Sequence, residues 1–183
     1  MKITLIQTVL SWESPAKNFL RIEGILQKQS KTDIVVLPEM FTTGFTMNVA
    51  QLEVFSADCA TINWMREWSK FLNAVLTGSI AFRTETGAVN RLIWMRPDGT
   101  FDFYDKRHAF TFGGEDQHYQ SGQERLIEHW RGWNICPLIC YDLRFPVWSR
   151  NKFQHGAAEY DLLIYVANWP NVRREAWSTL LKA

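Results

Sequence analysis

The run Asp33-Ile-Val-Val-Leu-Pro-Glu39 constrains the fold more than any other stretch of the chain. Four consecutive apolar side chains stopped by a proline leave no polar face. As a strand, the segment therefore needs cover on both sides, and a sheet sandwiched between other layers follows. The flanking texture supplies candidate partners. Residues 2–10 are rich in β-formers and predict a first strand. Ser14-Pro15 offers an N-cap and a first-turn proline for a helix whose Phe19, Ile22 and Leu26 share one face. Asp58 is placed to cap a second helix, with a stripe of Ile62, Met65, Ser69 and Leu72 and a flank of Trp64 and Trp68.

Beyond residue 73 the pattern turns to short β-type runs at 74–82, 89–95 and 101–104, separated by Thr-Gly and Pro-Asp-Gly turn signals and expected to pair antiparallel. Residues 107–124 show no sustained period and predict a long loop, which in a compact domain is more often functional than idle. Residues 128–130 and 133–140 flank Arg131-Gly132 as a hairpin. A helix near 146–153, a strand over 161–167 and a helix from Trp177 complete the chain. Periodicity alone thus gives a mixed α/β class with a covered sheet.

Charge narrows the function classes. The 183 residues carry 20 Lys+Arg against 19 Asp+Glu, a formal charge of +1, which removes the electrostatic case for nucleic acid or an acidic membrane as partner. No segment approaches the roughly 20 apolar residues of a membrane span. The N-terminus lacks the cleavage pattern of a signal peptide. Three cysteines, Cys59, Cys136 and Cys140, make an odd set. If ICPLIC is a strand, its two thiols stand about 13 Å apart, too far for a disulfide. Reduced thiols and a cytoplasmic location are expected, with residues 1–183 forming one domain. His108, His118, His129 and His155 have no metal-type spacing, so no metal and no cofactor is expected.

Three polar residues, Glu39, Lys106 and Cys140, each follow directly on an apolar or β-type run. Strand ends are where sheet-based enzymes hold working groups on a rigid frame. Taken singly, each has a bland reading: a solvated loop carboxylate, a surface ammonium, a small buried hydrophobe. Jointly they answer one chemical need, a thiol nucleophile with a carboxylate to move its proton and a cation where negative charge develops. A Cys–His pair using His108 or His118 is the rival arrangement, and it leaves Glu39 without a task.

The words around these residues, LPEMFTTGF (37–45), FYDKRHAF (103–110) and LICYDLRFPVWSR (138–150), resemble the three motifs of the nitrilase superfamily of carbon–nitrogen hydrolases, and with YVANWP they are most similar to its ω-amidase branch. The resemblance implies an α-β-β-α sandwich, commonly dimerised. It implies Glu39 as general base, Lys106 as oxyanion-stabilising cation, Cys140 as nucleophile and Glu115 as a second active-site glutamate, with the backbone N–H of Tyr141 as a further oxyanion donor. The implied substrate is a short 2-oxo dicarboxylic acid monoamide such as 2-oxoglutaramate or 2-oxosuccinamate. Its carboxylate needs a cation, for which Arg173 ranks ahead of Arg144, with Trp169 and Phe45 as apolar walls. Arg144 is expected instead to pair with Asp142 or Asp161. The family pattern normally continues past residue 183 by roughly 70–80 residues on a domain-size expectation, which would make the domain C-terminally truncated. Another superfamily amidase or carbamoyl hydrolase, or an inactive fragment acting as an association module, is the alternative.

Overall fold

The structure, a computed structural model, describes residues 1–154 and 156–183; His155 lies outside the described residues. The run beginning at Asp33 sits where its composition demands. Ile34–Val36 forms β2, with β1 (Ile3–Leu5) parallel on one side and β3 (Val75–Thr84) parallel on the other. The sheet continues antiparallel through β4 (Gly87–Met95) to β5 (Phe101–Asp105). A two-residue strand, β6 (Tyr119–Gln120), pairs with the start of β4.

Alternation along β2 divides its side chains between two cores. Val35 faces helices α1 (Pro15–Leu26) and α2 (Ala60–Leu72), packing with Ile22, Leu26, Ile62, Met65, Leu76 and Ile93. Ile34 and Val36 face the other way, onto a second sheet with Ile135, Leu138, Ile139, Ile164 and Val166. Each such side chain contributes about 1.5–3 kcal/mol by leaving water. The second sheet consists of β7 (Glu128–Trp130), β8 (Trp133–Ile139) and, after α3 (Pro146–Ser149) and the β9–β10 hairpin (Phe153–Gln154, Ala157–Ala158), strand β11 (Leu162–Val166), in the order β11-β8-β7. Tyr165, on the face opposite Ile164 and Val166, meets Trp177 of α4 (Arg174–Lys182) with ring centroids 6.5 Å apart. Helices, two sheets and a helix give the α-β-β-α sandwich. No helix is long and apolar enough to cross a membrane among the described residues.

Several local readings shift. Strand β1 stops at Leu5 rather than running to residue 10: after Ile6 N bonds Val36 O at 2.9 Å the chain leaves the sheet, and the Asn18 amide captures the backbone of Ser11. Leu5, at the end of the strand, and Val9, beyond it, are exposed. Helix α1 begins at Pro15, but Ser14 makes no side-chain cap bond, and α2 begins after Cys59, with Asp58 offering its carbonyl to Asn63 and its carboxylate to Arg66 at 4.0 Å rather than capping the helix. Ser69, the odd polar member of the α2 stripe, is buried because its hydroxyl donates to Ala74 O at 2.7 Å and lies 3.1 Å from Met95 O. The loop at 107–124 is organised by β6 and two short 3₁₀ turns, Thr111–Gly113 and Glu115–Gln117. Helix α3 spans four residues, and α4 starts three residues before Trp177.

Candidate active site

Four strand ends converge at one edge of the sandwich. After β2 the chain keeps pairing through Leu37 N to Thr77 O (2.7 Å), then turns at Met40, whose φ of 47° lies in the left-handed region, leaving Glu39 wholly buried. The turn rides close on β3. A Cβ at Gly78 would stand 2.7 Å from Leu37 Cβ, so only glycine admits the approach. Lys106 extends β5 by one bond, its N–H donating to Asn90 O at 2.9 Å, while its own carbonyl accepts from Gly122 N at 2.9 Å. At Gly122 a Cβ would lie 2.1 Å from Asp105 O.

Cys140 comes immediately after β8 and opens the 3₁₀ helix Cys140–Arg144 with φ 44°. A side chain in this conformation costs about 1–2 kcal/mol, so surrounding structure must hold it. Buried Asp142 does so. Its carboxylate accepts from Ile139 N (3.1 Å), Tyr104 Oη (2.8 Å) and His108 N (3.0 Å), tying the cysteine turn to the segment that carries Lys106. Tyr141 follows in the first helical turn, where backbone N–H groups have no partner within the helix.

The side chains meet as an ion cluster. Lys106 Nζ lies 2.7 Å from Glu39 Oε1 and 2.9 Å from Glu115 Oε2, and all three residues are at most 3% exposed. Glu115 also accepts from Phe110 N at 2.6 Å, which pins the loop it sits on. Asn90 Nδ2 donates to both carboxylates, at 3.0 Å to Glu39 Oε1 and 3.1 Å to Glu115 Oε1. Asn168, just beyond β11, donates its backbone N–H to Glu39 Oε2 at 3.1 Å and so binds the second sheet to the first. The Cys140 thiol lines the same cleft as Glu39, Lys106 and Asn168.

Burial pushes the Cys140 thiol well above the ordinary thiol range, and the Glu39 carboxylate pushes the same way against Lys106. Sulfur therefore stays protonated until a base takes its proton. Burial works to lower the Lys106 ammonium, yet Glu39 and Glu115 outweigh it and hold the lysine charged far into the alkaline range. Burial raises the Glu115 carboxyl, opposed by Lys106 and reinforced by Glu39. The arrangement combines a protonated thiol, a carboxylate beside it and a fixed cation.

Glu39, Lys106 and Cys140 open onto a cleft of about 360 Å³, also lined by Phe45, Phe110, Tyr141, Asn168, Trp169, Pro170 and Arg173. Every site residue expected from the sequence is thus brought to this cleft except Glu115, which stands behind Lys106. At the mouth the Arg173 guanidinium lies 5.1 Å from the Phe110 ring centroid and 5.6 Å from that of Phe112, and it forms no ion pair among the described residues. Trp169 Nε1 donates to Arg173 O at 2.8 Å. Arg144 departs from expectation: it is exposed and pairs with neither aspartate, because Asp142 is taken up by the cysteine turn and Asp161 accepts from Asn134 N at 2.8 Å. His108 stacks flat on Phe145 and shares its Nδ1 with Asp142 at 2.8 Å, outside the cleft, and His118 is exposed, so neither is placed as a base for Cys140. Asn90 and the Asn168 backbone were not anticipated. A lone amide inside the 89–95 run and a residue at the exit of a predicted strand were the only signals.

The sequence model of the carbon–nitrogen hydrolases matches residues 2–182. The chain is 48% identical over 183 residues to an omega-amidase, YafV, of Yersinia enterocolitica, covering 100% of this chain and 69% of that protein. It is 31% identical over 185 residues to a 2-oxoglutaramate amidase of Bacillus subtilis, covering 99% and 70%. Among solved structures it superimposes with a TM-score of 0.95, at 44% identity and over 99% of this chain and 69% of the other, on XC1258 from Xanthomonas campestris, a CN-hydrolase superfamily protein with an arsenic adduct in its active site.

Proposed function

The chain belongs to the carbon–nitrogen hydrolase family and is an amide-hydrolysing enzyme, and from that premise we propose that Cys140, Glu39 and Lys106 cleave the distal amide of short 2-oxo dicarboxylic acid monoamides, with 2-oxoglutaramate and 2-oxosuccinamate as substrates. The observation that carries the reading is the shared cleft, in which a protonated sulfur faces the same space as a carboxylate that is itself paired with a buried ammonium.

In the proposed sequence, Glu39 takes the Cys140 proton as sulfur attacks the amide carbonyl. The new oxyanion is stabilised by Lys106 and the Tyr141 N–H. Glu39 returns the proton to the departing ammonia, leaving a thioester. Water, deprotonated by the same carboxylate, then attacks that carbonyl; the C–S bond breaks, the Cys140 sulfur takes the proton back from Glu39, and the acid is released. Glu115 holds Lys106 charged and in place. Arg173, which has no ion-pair partner among the described residues and lies over the Phe110 ring at the mouth, supports recognition of the substrate carboxylate, with Phe45 and Trp169 as walls.

We read residues 1–183 as one catalytic domain, working in the cytoplasm, where the free thiols Cys59, Cys136 and Cys140 stay reduced, and as a homodimer, for which exposed Val147, Phe153 and Val172 offer apolar contact surface. A panel of short amides, with and without a 2-oxo acid group, plus one nitrile, scored by ammonia release with Cys140→Ala as control, tests the assignment. Release from the oxo acid amides that vanishes in the variant is expected. Turnover that survives Cys140→Ala contradicts the mechanism, and an inert parent chain contradicts the activity.

A further inference from the structure

We infer that Asn90 is a positioning residue that assigns separate tasks to the two carboxylate oxygens of Glu39, a role that rests on the mechanism proposed above. Four heavy atoms close a ring: Lys106 Nζ to Glu39 Oε1 (2.7 Å), Glu39 Oε1 to Asn90 Nδ2 (3.0 Å), Asn90 Nδ2 to Glu115 Oε1 (3.1 Å) and Glu115 Oε1 back to Lys106 Nζ (3.1 Å). Two ionised carboxylates against one ammonium carry a net negative charge on three side chains that are almost fully buried. The ring spreads it over every available donor. Asn90 is itself 1% exposed.

The orientation of the amide follows from the ring. Turned over, its oxygen would face two carboxylate oxygens, so the NH₂ must point inward. Asn90 Oδ1 is accordingly left with no hydrogen-bond partner among the described residues. An unpartnered buried acceptor is costly, and here the two bonds made by the donor side of the same amide offset that cost. With Oε1 held by Asn90 and Lys106, Oε2 is the oxygen of Glu39 left on the reacting side. Among the described residues its hydrogen-bond partner is the Asn168 N–H at 3.1 Å, and Asn168 lines the cleft together with Cys140. Oε2 therefore moves the proton, and Asn90 keeps it aimed and charged.

The position also explains the placement of Asn90 on β4. Its register partner Ala81 is small, and its own carbonyl accepts from Lys106 N, so the strand that orients the amide also fixes the lysine backbone.

Two substitutions test the role, with turnover normalised to the titrated Cys140 thiol. Asn90→Ala removes both donors, and Asn90→Asp keeps the shape but sets oxygen against both carboxylates. Loss of a hydrogen bond to a charged group corresponds to about tenfold to a hundredfold in rate. In Asn90→Ala kcat falls by that factor with KM within about twofold of the parent. The acid limb of the pH profile moves to higher pH, because a carboxylate with fewer donors holds its proton more tightly. Asn90→Asp shifts the limb further. Parent-like turnover in Asn90→Ala, or reduced turnover with an unmoved acid limb in either variant, overturns the assignment and leaves Asn90 a packing residue. Failure of the underlying mechanism shows separately, as ammonia release by Cys140→Ala.

Discussion

Replacing Lys106 with Met removes the cation from between two buried carboxylates while keeping most of the side-chain volume. At 2.7 and 2.9 Å, each ion pair amounts to about 6 kcal/mol of attraction at an effective dielectric of about 20. Desolvation of the three groups offsets most of this, and deleting one partner of a buried pair typically costs about 3–5 kcal/mol. The loss depends on pH. Without the ammonium, the Glu115 carboxyl, already raised by burial, rises further above its unfolded value, so the folded variant binds a proton that the unfolded chain releases. Destabilisation is then full at about pH 8 and shrinks toward about pH 5.5. Urea unfolding of parent and variant at both values reads it. Turnover falls by at least about 10²–10³, since an oxyanion donor is lost. A variant as stable as the parent, or equally destabilised at both pH values, refutes the reasoning.

Arg173→Ala raises KM for 2-oxo acid amides by about tenfold or more while leaving neutral amides within about twofold, as steady-state kinetics on the two substrate classes will show; equal changes on both refute carboxylate binding there. Glu128 gives a stability prediction: burial lifts its carboxyl to about 7, against Arg96 Nη2 at 2.6 Å, from an unfolded value near 4.5. The folded state holds this proton more tightly, so Glu128's contribution is present at low pH and is lost as pH rises through about 7. In urea unfolding, Glu128→Gln gains on the parent between about pH 5 and about pH 8, and a constant difference between the two contradicts the shift.

The parts of this architecture legible in the sequence are those where local pattern and tertiary demand coincide. An apolar run with no polar face needs two covered faces, and β2 has them. Glu39, Lys106 and Cys140 stand out because charge or sulfur interrupts a β-type pattern at a strand end. Asn90 does not, because an amide inside a strand looks locally like a solvent-facing position. Its meaning lies in partners 51 and 25 residues away in the chain. The left-handed φ of Cys140 has no local cue either, since it is imposed by Asp142 and the contacts that Asp142 makes with Tyr104 and His108. β-propensity over residues 2–10 misleads for the opposite reason. After Ile6 the chain loses its sheet partner, and Asn18 offers the Ser11 backbone a better one.

Acid-quenched mass spectrometry of the protein during turnover of 2-oxoglutaramate addresses the sulfur directly. The account predicts an acyl group in thioester linkage, mapping to the peptide that contains Cys140 and absent from Cys140→Ala. Ammonia released at full rate with that peptide never modified would contradict it.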